Sequence, residues 1–330
     1  MGTVRWGILS TANIGINKVI PAIQKASNCE VIAIASRSEE QAKAAAEKLG
    51  IPKAYSSYEE LLADAEVDAI YNPLPNHLHV PFTISALEAG KHVLCEKPIA
   101  LDTKEALFLK TEIEKYPELK VMEAFMYRFH PQWKKIRQLI KDGAIGEIKT
   151  IHSFFAYYNN NPSNIRNNAA IGGGALMDIG CYCISFPRFL FEKEPQKVVG
   201  LIERDPQMKI DRITSGMLDF SDGQSASFTC STQLMHGQRA EISGTLGRIE
   251  VDIPVNAPND KETRIALIKA DHREEIIFPP VDQYTLQAEQ FAQAILNNLP
   301  VPTPINDAIN NMRVIDALFE SAKQMKWVDI

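Results

Sequence analysis

The chain has 330 residues, 45% hydrophobic and 23% charged, with a formal net charge of −6 at pH 7. This length suits two domains, and the composition excludes a disordered chain, a collagen and a small disulfide scaffold. A net-negative charge excludes nucleic acid as the main partner, because binding phosphates needs a basic surface.

The five cysteines form an odd, sparse set, which predicts buried reduced thiols and no disulfide framework. Cys181 and Cys183 resemble a metal-binding pair, but no second Cys/His pair with zinc spacing accompanies them. The N-terminus leads directly into a strand pattern, and no apolar run approaches the roughly 18 residues of a membrane span. We therefore expect a cytoplasmic protein without a metal or a membrane segment.

The first ~120 residues alternate short apolar runs with helical patterns. Such alternation is typical of crossover units, which form a parallel sheet covered by helices on both faces. This half is therefore predicted to be a Rossmann-type, doubly wound parallel sheet. The predicted strands are Val4–Leu9, Glu30–Ala35, Asp68–Tyr71, Lys91–Cys95 and Lys120–Glu123, and the predicted helices are Ile14–Ala26, Glu39–Leu49, His77–Ala89 and Thr103–Lys115.

Beyond an amphipathic helix at Pro131–Lys141 the pattern changes to consecutive strands, with Asp-Gly turn chemistry at Asp222-Gly223. This order predicts a C-terminal α+β domain with a large, mainly antiparallel open sheet. The domains are predicted as residues 1–122, which bind a dinucleotide, and residues 123–330, which bind substrate and oligomerise, with an alternative in which the final helix packs back on the first domain. The strands are expected at Ile145–Tyr158, Lys197–Glu203, Thr214–Phe220, Gln224–Cys230, Arg239–Gly244 and Gly247–Ile253, and the helices at Asp178–Phe191, Tyr284–Asn297 and Asp307–Met325.

One face of that open sheet must be covered or paired. We therefore expect a homodimer or a higher homo-oligomer.

The turn after the first strand has small residues where a dinucleotide fingerprint has glycines. Ser10 and Ala12 stand at the first two glycine positions and Gly15 at the third, while Thr11, Asn13 and Ile14 complete the turn. Such a turn aims a helix N-terminus at a pyrophosphate. The alternative is a plain strand-to-helix turn.

The end of the second strand decides which dinucleotide is favoured. An NAD site usually has an acidic residue here, whereas this chain has Ser36, Arg37 and Ser38. Two hydroxyls and a guanidinium suit a 2′-phosphate better than a diol, so NADP is predicted, with NAD as the less favoured cofactor. The alternative is a solvated polar loop.

Lys97 lies between Glu96 and Pro98 after another strand, at the edge where parallel sheets bind ligands. A partly desolvated lysine can hydrogen-bond a hydroxyl that is losing hydride. The alternative is a surface cation.

Four motifs occur in an order that resembles the glucose–fructose oxidoreductase / inositol dehydrogenase (Gfo/Idh/MocA) family across essentially the whole chain. They are Ser10–Gly15, Asn72–His79, Glu96-Lys97-Pro98 and Gly172–Tyr182. The resemblance implies an NAD(P)-dependent dehydrogenase or reductase acting on CH–OH groups of sugars, polyols or cyclic diols. It also implies a cis bond before Pro98 and Lys97 as the catalytic lysine.

The family helix often reads Asp-x-Gly-x-His, but here Tyr182 replaces the histidine. This variant is similar to the subgroup that holds dimeric dihydrodiol dehydrogenase and NADP-type xylose dehydrogenases. Asp178 and Tyr182 are four residues apart, hence on one helical face. We assign proton transfer to Tyr182, electrostatic support to Lys97 and substrate positioning to Asp178; an equally allowed version makes Lys97 the proton relay. The alternative is a core tyrosine and a helix-capping aspartate.

Other site residues are weaker predictions from the family's loops. His79 is expected to contact substrate, as are Lys97, Asp178 and Tyr182. The remaining expected cofactor contacts are Tyr71, Asn72, Leu74, Asn76, His77, Glu96, Glu123, Arg166 and Tyr284.

Two rival functions stay open. One keeps the cofactor tightly bound and recycles it. The other is a non-catalytic NAD(P)- or sugar-sensing regulator of the same fold, which retention of Lys97, Asp178 and Tyr182 together disfavours.

Overall fold

A computed structural model describes residues 2–330 and divides the chain into two compact units. The first unit contains the chain up to Met126 together with Asp282–Ile309, and the second contains Tyr127–Val281 and Asn310–Ile330. The strands are β1 (Val4–Leu9), β2 (Cys29–Ala35), β3 (Lys53–Tyr55), β4 (Ala69–Asn72), β5 (His92–Cys95), β6 (Val121–Glu123), β7 (Ile148–Tyr158), β8 (Lys197–Arg204), β9 (Asp211–Asp219), β10 (Ser225–Ser231), β11 (Gln233–Gly244), β12 (Arg248–Val251), β13 (Thr263–Lys269), β14 (His272–Phe278) and β15 (Val328–Asp329). The α-helices are α1 (Ile20–Lys25), α2 (Glu39–Leu49), α3 (Tyr58–Leu62), α4 (His79–Glu88), α5 (Thr103–Ile113), α6 (Pro131–Lys141), α7 (Cys181–Phe191), α8 (Gln283–Leu296) and α9 (Ile305–Gln324).

The first unit is built on a six-stranded parallel sheet in the order β3-β2-β1-β4-β5-β6. This is the strand order of a doubly wound dinucleotide-binding sheet, so the predicted Rossmann architecture is confirmed. Its central strands bury nearly every side chain, as expected for a sheet covered on both faces. The sequence prediction missed β3 and α3, which are too short to show a period.

Helix α8 belongs to the first unit although it lies about 160 residues beyond the last Rossmann strand. The ring of Phe291 on α8 lies 5.7 Å from that of Trp6 on β1, and both side chains are fully buried. The Thr285 hydroxyl also donates to the carbonyl of Ala22 at 3.0 Å. The predicted division at residue 122 left this helix in the C-terminal domain, because only long-range packing places it. As a division into cofactor and substrate domains, that boundary stays a prediction.

The second unit is built on a nine-stranded sheet in the order β14-β13-β12-β11-β7-β10-β9-β8-β15. Among the described strands of this sheet, only β7 and β10 pair in parallel. The predicted large, mainly antiparallel sheet is therefore confirmed. The Asp222 turn joins β9 to β10 as the predicted hairpin. Three strands the sequence did not suggest, β13, β14 and β15, extend the sheet at its two edges; β14 is charged and exposed, without an apolar alternation.

The segment Ala169–Phe191 is the one described stretch that is long and apolar enough, by length and composition, to cross a membrane. The stretch includes Asp178 and Arg188, so it is not the continuous apolar run whose absence the sequence analysis noted. The segment is 67% buried within the protein, and all of α7 except Phe189 is buried. This burial is typical of a core helix. The five cysteines are free and buried, as predicted.

Replacing Phe291 with alanine should destabilise the first unit by about 3–5 kcal/mol, because the change removes a fully buried ring and leaves a cavity. Urea unfolding followed by far-UV circular dichroism measures the loss. The matched control is Phe108→Ala, since Phe108 is 53% exposed and should change stability by less than about 1 kcal/mol. Equal losses in the two variants would contradict this account of α8.

Candidate active-site residues in each unit

The turn after β1 has a serine in a conformation that favours glycine. Ser10 has a φ of +72°, its backbone N–H donates to the carbonyl of Ala35 at 2.9 Å, and its Oγ accepts from the N–H of Ala12 at 3.2 Å. A left-handed conformation costs a non-glycine residue roughly 1–2 kcal/mol, so the tight turn is held by these bonds. Asn13 is exposed, while Thr11, Ala12 and Ile14 are half-buried.

Gly15 begins a π-helical segment, Gly15–Val19, that continues into α1. A Cβ at Gly15 would meet its nearest atoms at 3.7–3.9 Å, which is ordinary van der Waals contact. The expected steric need for a third fingerprint glycine is therefore absent here. The close approach occurs instead at Gly7 on β1, where a Cβ would lie 2.7 Å from Leu61.

After β2, Ser36 is buried and Arg37 is exposed. The Ser36 hydroxyl accepts from the N–H of Ser38, and the Ser38 hydroxyl caps α2 by accepting from the N–H of Gln41 at 3.3 Å. Arg37 lies near the hydroxyl of Tyr58, and its positive charge opposes the burial that raises the pKa of that phenol. The two serines thus shape the turn, and Arg37 is the cation that this edge presents to solvent.

Tyr71, Glu96 and Tyr284 lie close together at the carboxyl ends of β4 and β5. The fully buried Tyr71 hydroxyl donates to Glu96 Oε1 at 2.7 Å. Burial and then the Glu96 carboxylate raise the pKa of both Tyr71 and Tyr284, so both phenols stay protonated. Sequence reasoning named all three residues but not their association, which depends on α8 joining this unit.

Asn72 is fully buried, and its side chain bonds to the turn that follows β4 and to Thr83 on α4. Its Nδ2 donates to the carbonyl of His79 at 3.1 Å, and its Oδ1 accepts from the N–H of Leu74 at 3.3 Å. The Asn72 side chain therefore fixes the turn to which the buried Leu74 belongs, and the expected cofactor contacts of both residues stay predictions. Asn76 and His77 begin the following 3₁₀ segment half-buried, and His77 Nδ1 finds no hydrogen-bond partner within residues 2–330.

His79 is 1% exposed and lies between two carbonyl oxygens. Its Nδ1 is 2.7 Å from the carbonyl of Pro98, and its Nε2 is 2.7 Å from that of Leu74. Burial lowers the pKa of His79 to about 4, so near neutral pH the ring has one N–H, which donates to one of the two oxygens. The imidazole therefore holds the backbone beside Lys97, and the expected substrate contact of His79 stays a prediction.

The backbone around Lys97 is fixed on both sides. The Lys97–Pro98 peptide is cis, as the family resemblance implied. The N–H of Ile99 donates to Glu123 Oε1 at 2.7 Å, and Glu123 is 3% exposed. Glu123 was predicted to touch the cofactor; the structure shows that this carboxylate anchors the chain just beyond Pro98. Lys97 itself is half-buried.

In the second unit, Asp178 accepts from two side chains. The Tyr157 hydroxyl donates to Oδ2 at 2.5 Å, and the Arg166 guanidinium donates through Nε to Oδ1 at 3.1 Å. The Asp178 side chain is 13% exposed. Arg166 was expected at the cofactor, whereas the structure brings its Nε to Asp178. Tyr157 was not among the predicted site residues; its only sequence cue was an aromatic cluster at the end of β7.

Tyr182 is 4% exposed, with its ring 6.0 Å from that of Tyr127 and 6.1 Å from that of Phe155. The predicted helix is not α-helical throughout, because Leu176–Gly180 forms a π-helix before α7 begins. Such π segments occur frequently at functional sites. The prediction that Asp178 and Tyr182 share one helical face assumed α-helical spacing. Asp178 instead lies in the wider π-helical turn, and Tyr182 lies in α7.

The start of this helix is anchored by Asp211, which sequence reasoning missed. Asp211 Oδ2 accepts from the N–H of Leu176 at 2.6 Å and from the Thr214 hydroxyl at 3.0 Å. Gly174 has a φ of +127°, and a Cβ there would lie 1.9 Å from Asp211 Oδ1, so only glycine fits. A buried aspartate on a strand has no sequence motif that distinguishes it.

Two family profiles match the chain. Residues 4–125 match the oxidoreductase family with an NAD-binding Rossmann fold, and residues 133–250 match the GFO/IDH/MocA C-terminal domain. The chain belongs to the Gfo/Idh/MocA family of oxidoreductases. The resemblance inferred from the four motifs is thus confirmed, and the protein is an NAD(P)-binding oxidoreductase.

Relatives in this family match over nearly the whole chain. An uncharacterised oxidoreductase of Rhizobium meliloti is 43% identical and covers 99% of each chain. A D-xylose 1-dehydrogenase (NADP(+)) of Haloferax volcanii is 36% identical, covering 98% of this chain and 99% of the relative. A trans-1,2-dihydrobenzene-1,2-diol dehydrogenase of Xenopus laevis is 31% identical, covering 97% of this chain and 98% of the relative.

Solved structures of the family share the fold. A 3-ketoreductase from Actinomadura kijaniata, in complex with NADP and TDP-benzene, is 29% identical, covers 97% of this chain and 98% of its own, and has a TM-score of 0.90. An aldose-aldose oxidoreductase from Caulobacter crescentus is 25% identical, covers 99% of this chain and 100% of its own, and has a TM-score of 0.92.

The first unit suits the dinucleotide that the family profile implies. The turn at Ser10 leads into a helix N-terminus, which favours phosphate. Arg37 is exposed at the end of β2, where no acidic side chain stands, and the buried Nδ1 of His77 still lacks a protein partner among the described residues. These groups can bind anionic and polar parts of such a cofactor.

Asp211 should make stability depend on pH. Burial raises the pKa of Asp211 to about 6, from about 4 in an unfolded chain. The folded state then binds more protons between pH 4 and 6, so this group's contribution to stability falls as pH rises through that range, by about 2 kcal/mol. Asp211→Asn should lack that contribution. Urea unfolding of both proteins at pH 4.5 and 7.5 measures it, and identical pH dependence in the two would refute the assignment.

Proposed function

We propose that the protein is an NADP-preferring dehydrogenase or reductase that acts on a CH–OH or C=O carbon of a sugar, polyol or cyclic diol. The observation that carries this proposal is the fixed position of Lys97 at the carboxyl end of β5, where His79 and Glu123 hold the backbone just beyond it. A half-buried ammonium on a rigid turn suits a hydroxyl that loses or gains hydride. Relatives named for xylose and for a dihydrodiol support this substrate class.

The cofactor preference rests on Arg37. A guanidinium binds a phosphate in a bidentate manner, and the exposed Arg37 lies near the Tyr58 hydroxyl. Tyr58 is buried and packs edge-on against Phe82 with centroids 5.0 Å apart, so its ring is held in place. The relatives named with NADP, a xylose dehydrogenase and a 3-ketoreductase, support the same preference.

When bound, the cofactor supplies hydride chemistry at its nicotinamide ring. The chain's own residues supply orientation and proton transfer. Tyr182 exchanges the proton of the reacting hydroxyl, and Lys97 supplies the positive charge that a phenol needs to act as a base near neutral pH. Asp178 positions the substrate. In a second version of this proposal, Lys97 itself relays the proton.

Variants of the Actinomadura 3-ketoreductase support this pair of residues. Solved structures of that enzyme include replacements of one lysine by alanine and by glutamate, and of one tyrosine by phenylalanine. Those two positions are 84 residues apart, and Lys97 and Tyr182 are 85 residues apart. Spacings that differ by one residue favour equivalent positions in two chains that align over almost their full lengths.

We further propose a homodimer formed through the outer face of the nine-stranded sheet, and a cytoplasmic location, which suits five reduced cysteines. On that face Leu201 is 76% and Met217 is 50% exposed, beside a depression of about 970 Å³. Charges of both signs, such as Arg273 with Glu250, lie around this apolar area. A second copy offers the same mixed charges and apolar side chains.

Replacing Tyr182 with phenylalanine should lower kcat by at least about 100-fold, since the change removes a proton-transferring group. NADP⁺ reduction at 340 nm against aldoses, polyols, inositols and cyclic diols measures the rate, and fluorescence titration should show unchanged cofactor binding. Tyr158→Phe is the control, because Tyr158 is 64% exposed. Full activity in the Tyr182 variant would refute this role, and absence of any turnover by the wild type would favour the sensor alternative.

Replacing Arg37 with alanine should reduce the preference for NADP⁺ over NAD⁺ by about 10- to 100-fold, the value of a charged hydrogen bond to a phosphate. The ratio of kcat/KM for the two cofactors measures it. Lys43→Ala is the control, since it removes an exposed positive charge from nearby α2. An unchanged ratio in the Arg37 variant would overturn the 2′-phosphate assignment.

Replacing Met217 with glutamate should convert a dimer into a monomer, because a charge would be buried in the centre of an apolar contact. Light scattering after size-exclusion chromatography measures the mass. Phe108→Glu places the same charge at an exposed position of the first unit and should leave the mass unchanged. A wild-type monomer, or a dimeric Met217 variant, would rule out this interface.

A further inference from the structure

The carboxylate of Glu96 is held by a phenol from the neighbouring strand. Tyr71 on β4 pairs with Leu94 on β5, so its side chain reaches the end of β5, where its hydroxyl donates to Glu96 Oε1 at 2.7 Å. The N–H of Glu96 donates to the carbonyl of Asn72 at 3.0 Å. The side chain and the backbone of Glu96 are therefore both bonded to residues of β4.

Tyr71 is itself fixed by its surroundings. Its side chain is fully buried, and the residue pairs with Ile8 on β1 as well as with β5. A Cβ on Gly15 would lie 3.7 Å from Tyr71 Cε1, so the ring lies against the helical segment that follows the dinucleotide turn. Burial and then the Glu96 charge raise the pKa of Tyr71, which keeps the phenol protonated as a donor.

The same carboxylate reaches the backbone of Lys97. Glu96 Oε2 accepts from the Lys97 N–H at 3.4 Å, while Oε1 accepts from the Tyr71 hydroxyl. A bond of that length is weak by itself, and a glutamate side chain has several rotatable bonds. The carboxylate therefore stays on the Lys97 N–H because Tyr71 holds its other oxygen.

Lys97 is thus held on both sides along the chain. On the far side, His79 lies 2.7 Å from the carbonyl of Pro98, and Glu123 accepts from the N–H of Ile99 at 2.7 Å. On the near side, the bonds run from Tyr71 through Glu96 to the N–H of Lys97. Losing the Tyr71 hydroxyl would release the near side and leave the far side in place.

We propose that Tyr71 is a positioning residue that acts through the Glu96 carboxylate to fix the backbone of Lys97, and with it the ammonium that acts on the reacting hydroxyl. This inference rests on the proposed function, which gives Lys97 its part in proton transfer. Tyr71 exchanges no proton with the substrate. The cofactor contact expected of Tyr71 from the sequence is a different role, and cofactor affinity separates the two.

The first test is Tyr71→Phe, which keeps the ring and removes the hydroxyl. With the fastest substrate of the panel, kcat should fall about 10- to 100-fold, because a small displacement of a catalytic group is costly. NADP⁺ affinity, measured by fluorescence without substrate, should not change. An unchanged kcat, or a loss that an equal weakening of NADP⁺ binding explains, would overturn the inference.

Tyr55→Phe is the matched control. The Tyr55 hydroxyl also donates to a carboxylate, Asp64 Oδ2, at 2.9 Å, but β3 is separated from β5 by three strands. This variant loses the same kind of bond in the same sheet and should keep the wild-type kcat. An equal loss of kcat in both variants would contradict a specific role for Tyr71.

Amide hydrogen exchange resolved to single residues tests the bond to Lys97 without any turnover. In Tyr71→Phe the Lys97 amide should exchange about tenfold faster, while the Ile99 amide, bonded to Glu123, keeps its rate. Equal acceleration of both amides would show general loosening and overturn the inference. A wild type that turns over no member of the panel would refute the proposed function, and the exchange rates would still decide whether Tyr71 fixes Lys97.

A double-mutant cycle tests whether Tyr71 acts through Lys97. The effect of Tyr71→Phe on kcat should largely vanish in the Lys97→Met background, whereas additive effects would contradict the inference. If Tyr71→Phe does not fold, Glu96→Gln replaces it. The amide oxygen of that glutamine still accepts from Tyr71, so its NH₂ group faces the Lys97 N–H, and faster Lys97 exchange with a lower kcat is expected. Wild-type values of both would overturn the inference.

Discussion

Parallel strand pairing is the constraint on which the first unit depends. Because β1, β2, β4 and β5 run in one direction, their carboxyl ends meet at one edge of the sheet. The turn at Ser10, the exposed Arg37 and the Glu96-Lys97 segment follow three of these strands and therefore share that edge. Strand direction alone brings together the proposed phosphate-binding turn, a cation and the proposed catalytic lysine from three separate sequence positions.

Hydrogen bonds from buried polar side chains then hold the backbone around these residues in one conformation. His79 and Glu123 use their hydrogen-bonding groups on the backbone beyond Lys97, and Asn72 uses its amide on the turn after β4. Asp211 does the same in the second unit at the start of the helix that carries Asp178. A buried polar group without a partner is costly, so each of these pairings stabilises one backbone arrangement over others.

Much of this organisation could be predicted from the sequence, because it follows from local patterns. The alternation of strands and helices gave the parallel sheet, and α2 and α6 begin and end at the predicted residues. Ser10, Arg37 and Lys97 could be named because each directly follows a predicted strand. His79 and Glu123 were assigned to ligands instead of to the backbone, since a motif identifies a residue without showing which way its side chain points.

The sequence by itself determined the fold class and the family, and it is the source of the proposed positions of the chemically active side chains. Only the tertiary structure decided which polar groups support these side chains. Tyr157 donates to Asp178, Asp211 accepts from the N–H of Leu176 at the start of the helix that carries Asp178, and Tyr284 lies beside Glu96. The physical reason is distance along the chain. Strand and helix periods arise from neighbours a few residues apart, whereas these partners are separated by about 20 to 190 residues and meet only when burial of apolar side chains brings their elements together.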